Sequence, residues 1–166
     1  PSCIICEDDE VRRFGDRFNP LLLSVRSGAT ISLPGMMQSF LNVGINGEIA
    51  AGLSCTPAFR WAAWDSYRRL LQSWGMFQGI DRDFFDRLME THKRRYNVLK
   101  KIRFRPEEMR ELALAYRQGL ADHRIDIPDA PLEQLRQSIQ KVFESWHSTQ
   151  ARLYRRQMQL SDEWGT

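Results

Sequence analysis

The sequence predicts an α+β fold that is mostly α, and three observations carry that expectation. Apolar residues spaced three and four positions apart recur through most of the chain after residue 57, enough for about five helices. Only two short runs, Leu21–Arg26 and Ser39–Val43, have the character of strands. No internal repeat or low-complexity tract points to another architecture.

Residues 1–19 show no clear period, and Glu7–Arg13 reads as a short helix or a loose lead-in. Asn19-Pro20 punctuates the start of the first strand, whose near-continuous apolar run suits a strand covered on both faces. A loop over Ser27–Met37 and the second strand follow, then a turn-rich segment, Gly44–Gly52. Thr56 and Pro57 have the chemistry of a helix start. From there Phe59, Ala63, Tyr67, Leu70 and Trp74 make one buried face that stops at Gly75. A second helix, Asp83–Lys101, buries Phe84, Leu88 and Leu99, with His92 on the same stripe as a satisfied interior histidine. Pro106, Glu107 and Glu108 open a third with charge that suits the helix dipole, its face being Met109, Leu112, Ala113, Tyr116 and Leu120. Beyond a connector at 121–131, a fourth helix, Leu132–Trp146, turns Leu135, Ile139, Val142 and Phe143 inward. Ser148 caps a last helix through Arg152–Met158.

At 166 residues, 42% of them hydrophobic and 27% charged, the chain can bury a core as one domain, with room for two lobes. No apolar run approaches the roughly 20 residues that cross a bilayer, and Pro1–Glu10 lacks the pattern of a signal peptide. The expected compartment is the cytoplasm, with no membrane partner. A net charge of +3 is too small to argue for nucleic acid by itself. The charge is clustered, however, at Lys93–Arg95, Lys100–Arg105 and Arg152–Arg156. These clusters read first as solvated helix faces and second as contacts for an acidic partner such as nucleotide phosphate, and the helical arginines Arg68, Arg69, Arg155 and Arg156 read as solvated too. The five tryptophans read as core and subdomain contacts. Cys3 and Cys6 form half of a zinc site with no second pair, so buried or frayed thiols are expected and no metal ligand is assigned.

The functional case rests on residues 20–46. A short apolar run delivers Arg26 into the Ser/Gly-rich stretch Ser24–Ala29, and a second glycine turn, Leu33-Pro34-Gly35-Met36-Met37, follows. A strand that ends at a cation beside exposed backbone amides is suited to hold an anion such as phosphate. Arg26 reads alternatively as a salt bridge at a strand end, Gly35 as an ordinary turn glycine, and Met36 and Met37 as packing residues.

These residues resemble the N-terminal nucleotide-binding domain of the pyruvate phosphate dikinases. The likeness runs in order through Phe14-Gly15-Asp16, Asn19–Leu22, Ser24–Ala29, Leu33–Met37, Leu41–Gly44 and Asp65–Arg69. It continues through Pro131–Arg136, Val142–Trp146, Ala151–Arg156 and Trp164-Gly165-Thr166, covering nearly everything after residue 13. Phosphoenolpyruvate synthases share the arginine strand and glycine loop in looser form.

The resemblance implies a partial ATP-grasp-type domain: a nucleotide-binding lobe at 1–56, an inserted helical subdomain at 57–128 and a helical return at 129–166. In that family ATP phosphorylates a histidine on a separate swivelling domain, and the phosphoryl group later passes to pyruvate to give phosphoenolpyruvate. By position, Arg26 matches the catalytic arginine that contacts the ATP phosphates, flanked by Ser27 and Gly28. Gly35 and Ser39 match the loop over the triphosphate, with Met36 a further nucleotide contact; relatives often carry Thr where this chain has Ser39. ATP and Mg²⁺ are the implied cofactors. The family's lysine, acidic metal ligands and phosphorylatable histidine match nothing here, and His92, His123 and His147 are not promoted to that role. With no initiator methionine and an abrupt stop at Thr166, the chain is expected to be a piece of a larger enzyme, inactive alone and weak in ATP affinity. The resemblance admits a homodimer, although the sequence does not give the oligomeric state. The alternative is a non-catalytic helical module that binds a protein or nucleic acid through its basic helices, revealed by steep salt dependence.

Overall fold

The computed structural model describes residues 11–27 and 39–159. Two strands and six α-helices occur among them: β1 (Leu23–Val25), β2 (Phe40–Val43), α1 (Gly47–Leu53), α2 (Arg60–Phe77), α3 (Arg82–Arg95), α4 (Pro106–Asp122), α5 (Pro131–Ser145) and α6 (Thr149–Gln157). Single 3₁₀ turns at Pro57–Phe59 and Lys101–Arg103 precede α2 and α4. The mostly helical α+β expectation holds, with one helix more than the periodicity gave.

That helix is α1, which occupies most of the stretch read as turns. Its glycines hide a start signal, because Asn46 accepts a hydrogen bond from the Ile49 amide at 2.8 Å and Glu48 lies in the first turn. Tertiary contact then overrides the weak propensity, since Ile49 and Ala50 are buried in the common core.

Packing of α2 against α4 builds that core. Ala63, Tyr67, Leu70 and Trp74 face inward as the spacing predicts, whereas Phe59 lies exposed before the helix. The helix does not stop at Gly75. A Cβ there would lie 2.6 Å from Leu120 Cδ2 and from Phe85 Cζ, so this glycine serves close helix packing. The stop comes at Gly79 (φ +94°), where the Ile80 amide donates back to the Gly75 carbonyl in a Schellman turn. The same device ends α3 early, at Asn97 (φ 52°) with Val98 N–H donating to Lys93 O. Leu99, expected inside a longer helix, is therefore 93% exposed. Within α3 the fully buried aromatic is Phe85 rather than Phe84, and its carbonyl accepts from the Tyr116 hydroxyl at 2.8 Å. His92 is buried as expected, with Nδ1 3.0 Å from Leu88 O. All five residues named for the inner face of α4 are buried.

On α5 the inward face is rotated from the apolar reading. Val142 is buried and Leu135 packs on the core, but Ile139 and Phe143 are exposed while Gln134 and Ser138 are buried. The reason is a polar debt at the end of β2. Gln134 Oε1 accepts from the Gly44 amide at 3.1 Å, and its Nε2 donates to Ile45 O at 3.0 Å and Pro128 O at 2.7 Å. One side chain thus satisfies three backbone groups, and no aliphatic residue could. Replacing Gln134 by leucine is expected to cost about 2–3 kcal/mol in urea denaturation, because those groups lose their partner in the interior. A loss under about 0.5 kcal/mol would show that they find other partners.

Two of the arginines expected in solvent are interior: Arg68 is 4% exposed and Arg155 2%. Trp64, Trp74 and Trp146 are buried and Trp61 is half-buried, as core and subdomain roles require. Cys3, Cys6 and Trp164 lie outside the described residues.

Candidate functional site

The two strands form an antiparallel hairpin with register Leu23↔Val43 and Val25↔Phe40. Val25↔Phe40 is the pair nearest the intervening loop, so Arg26 and Ser39 are the first residues beyond the two strands, at the neck of that loop. Between the two pairs lies a β-bulge, because Ser24 alone on β1 opposes both Leu41 and Asn42 on β2. Asn42 carries the bulge at φ 60°, a left-handed conformation that asparagine tolerates better than most residues, and its Nδ2 donates to Ser66 O of α2 at 3.4 Å. The bulge shifts β2 by one residue relative to β1 between the two pairs.

One face of the hairpin is sealed. Phe40 packs edge-on against Trp74 with ring centroids 5.6 Å apart and against Phe77 at 5.8 Å. Lys141 of α5 lays its ammonium over both rings, and burial pulls its pKa below the ordinary lysine value. Along β1, Val25 is half-buried while Ser24 and Arg26 are exposed. Arg26 makes no ion pair with any described residue. The strand-end salt bridge weighed for it is therefore not seen among them. The lead-in that positions β1 is fixed by Asp16, whose carboxylate accepts from the Phe18 and Asn19 amides, both at 2.8 Å. Those two bonds hold its pKa below the usual value. Of the sequence-derived site, Arg26, Ser27 and Ser39 are described and share the loop neck; Gly28, Gly35 and Met36 lie outside the described residues.

A buried ionic cluster on α2 was missed by the sequence, which placed Arg68 in solvent. Asp65 Oδ1 accepts from Arg68 Nε at 2.9 Å, Oδ2 from Arg69 Nε at 2.9 Å, and Lys101 Nζ lies 3.1 and 3.0 Å from the two oxygens. Arg68 also donates to Gln72 at 2.8 Å and stacks over Tyr116. Burial pushes the Asp65 carboxyl up, but the Arg68 charge and the donors from Lys101 and Arg68 together outweigh it, and the net shift is down. The signal was present as Asp65-x-x-Arg68-Arg69, but helical spacing alone does not distinguish a buried stripe from a wet one. Its role is structural: it ties the turn before α4 to α2, one residue from the point where Asn42 docks.

Chemically, the described residues of the loop neck present a permanently charged guanidinium and two hydroxyls, with no ion pair from Arg26 to a described carboxylate. That set suits phosphate oxygens. It does not suit Mg²⁺, which takes carboxylate and water oxygens. Nor does any group of three or more His, Cys, Asp or Glu converge on a metal site among the described residues. No helix among them is long and apolar enough to cross a membrane.

The family described as the pyruvate phosphate dikinase AMP/ATP-binding domain matches residues 6–166. The chain belongs to this family. It is similar to the pyruvate, phosphate dikinase of Giardia intestinalis, 39% identical over 98% of this chain and 19% of that protein. It is similar as well to the chloroplastic pyruvate, phosphate dikinase of Mesembryanthemum crystallinum, 37% identical over 98% of this chain and 17% of that protein. The Rickettsia felis pyruvate, phosphate dikinase is 35% identical over 92% of this chain and 18% of its own length. The chain spans less than a fifth of these relatives. It is part of the ATP-binding domain of a pyruvate phosphate dikinase-like protein.

Proposed function

We propose that residues 26–39 grip the triphosphate of ATP in an ATP-grasp-type domain. Arg26 supplies the permanent charge, Ser27 and Gly28 flank it, Gly35 admits the phosphates close to the backbone, Met36 contacts the nucleotide, and Ser39 donates a hydroxyl. The single observation that supports this reading is the hairpin register, whose outermost pair, Val25↔Phe40, is followed directly in sequence by Arg26 on one side and preceded by Ser39 on the other. The proposal divides the chain into a nucleotide lobe at 1–56, a helical subdomain at 57–128 and a return at 129–166. Gln134, bonded to Gly44 and Ile45, supports the last of these.

The parent enzyme would use ATP to phosphorylate a histidine on another domain and then pass the group to pyruvate. Phosphoryl transfer asks mainly for positioning and charge neutralisation, and Arg26 would offer a planar fork for two phosphate oxygens. When bound, Mg²⁺ would neutralise further phosphate charge through ligands beyond this chain; Arg26 and Ser39 act on the nucleotide alone. A homodimer is compatible with the proposal.

Calorimetric titration of the chain with ATP, with AMP as a control, tests the reading. Saturable ATP binding that AMP reproduces only weakly is expected. Absent ATP binding, together with RNA binding that falls steeply with salt, would favour a basic helical module instead. Two of that module's arginines, Arg68 and Arg155, are buried.

A further inference from the structure

The turn between α3 and α4 has no part in the site at the hairpin, and its residues alternate between anchored and exposed. Asn97 (φ 52°) ends α3 in a left-handed turn, with the Val98 amide donating to Lys93 O at 2.9 Å. Val98 then packs on the core, Lys101 Nζ reaches the buried Asp65 carboxylate at 3.0 Å, and Phe104 is buried. The amides of Arg103 and Phe104 close the turn onto the carbonyls of Lys100 and Lys101 at 2.9 and 3.0 Å. Every third residue is thus an anchor, and the pairs between the anchors, Leu99-Lys100 and Ile102-Arg103, are exposed. Leu99 is 93% exposed and Ile102 65%.

A single exposed aliphatic residue is ordinary on a protein surface. Here two stand on one short turn fixed at three anchors, each followed by an exposed cation, so a partner that covers them orders little new backbone. Acidic groups of the flanking helices are engaged with other cations: Glu90 with Lys93, Glu111 with Arg95 and Glu108 with Arg105. We propose that this tip docks an acidic amphipathic helix of another polypeptide chain. The apolar face of that helix covers Leu99 and Ile102, and its carboxylates meet Lys100 and Arg103 at the rim. Charge favours such a helix over an anionic lipid surface. Glu107 and Glu111 are exposed on the first turns of α4, which follows the tip directly, and a planar anionic surface would meet them together with the cations. A helix about 10–12 Å across is narrow enough to avoid them. The proposal shares no residue with the ATP reading and stands without it.

The test is the fluorescence anisotropy of a labelled synthetic helical peptide, glutamate on one face and leucine on the other, titrated with the full chain. Saturable binding is expected, with NMR shifts centred on the Leu99 and Ile102 methyl groups. Leu99→Ser/Ile102→Ser should bind about 30-fold or more weakly. Lys100→Gln/Arg103→Gln should bind about three- to tenfold more weakly, with a flatter salt dependence. Both double variants should keep their thermal midpoint, since all four side chains are exposed. Peptides with glutamine for leucine, or lysine for glutamate, should not bind. Absent binding, or binding that survives Leu99→Ser/Ile102→Ser, would overturn the proposal. So would a self-associated chain that this variant dissociates, which would put a second copy on the tip, or adsorption to phosphatidylserine vesicles where the peptide fails. The whole parent protein should bind the peptide as the chain does; loss of binding there would mean that the parent itself covers the tip, and would overturn the proposal as well.

Discussion

Replacing Arg26 with alanine is expected to weaken ATP binding about 30- to 100-fold. A charge-assisted hydrogen bond to phosphate contributes about 1.5–3 kcal/mol, and two oxygens held by one planar fork place the loss toward the upper end. Arg26→Lys keeps the charge but not the fork, so it should recover only part of the affinity. Stability should stay within about 0.5 kcal/mol of the parent chain, because the side chain is exposed and unpaired among the described residues. Ser39→Ala, removing one neutral donor, should cost about 1 kcal/mol of binding, roughly fivefold. Calorimetry on the three variants reads these effects. An ATP isotherm unchanged by Arg26→Ala would remove the hairpin from the nucleotide site.

The largest effect on stability is expected from Asp65→Ala. The Asp65–Arg68 pair is buried on both sides, each side chain at 5% exposure. Removing the carboxylate strands the Arg68 guanidinium in the interior, which costs about 3–5 kcal/mol. That is a large share of the roughly 5–15 kcal/mol that holds a domain folded. Arg69 and Lys101 are more exposed and add little. Urea denaturation at pH 7 measures the loss, and a change below about 1 kcal/mol would mean that Arg68 swings out to water. Because the Asp65 carboxyl is depressed in the fold, its contribution is complete above the unfolded value of about 3.9 and disappears as pH falls through the lower folded value. Asp65→Ala should therefore flatten the acid limb of the stability curve.

Much of the framework was legible from spacing. The two strands, the inner face of α4 and the Ser148 cap follow local rules, and the fold obeys them. What escaped is what only tertiary partners decide. Gly75 reads as a stop until Leu120 and Phe85 are known to press on it. The α5 stripe reads as Ile139 and Phe143 until the unpaired amide of Gly44 demands Gln134 instead. Arg68 and Arg155 read as wet because nothing in a helix's own sequence says that it carries a buried guanidinium. At the candidate site, Arg26 and the glycine loop stood out by composition, whereas the bulge at Asn42 did not. A left-handed asparagine inside a strand leaves no mark in a hydropathy pattern.

The Gln134 bridge also bears on the order in which the molecule is finished as it leaves the ribosome. Its partners Gly44 and Ile45 lie 90 and 89 residues earlier. The hairpin end is thus made early but cannot receive this amide until α5 has emerged. Closing so long a span is entropically slow, so the hairpin waits on a helix translated about ninety residues after it.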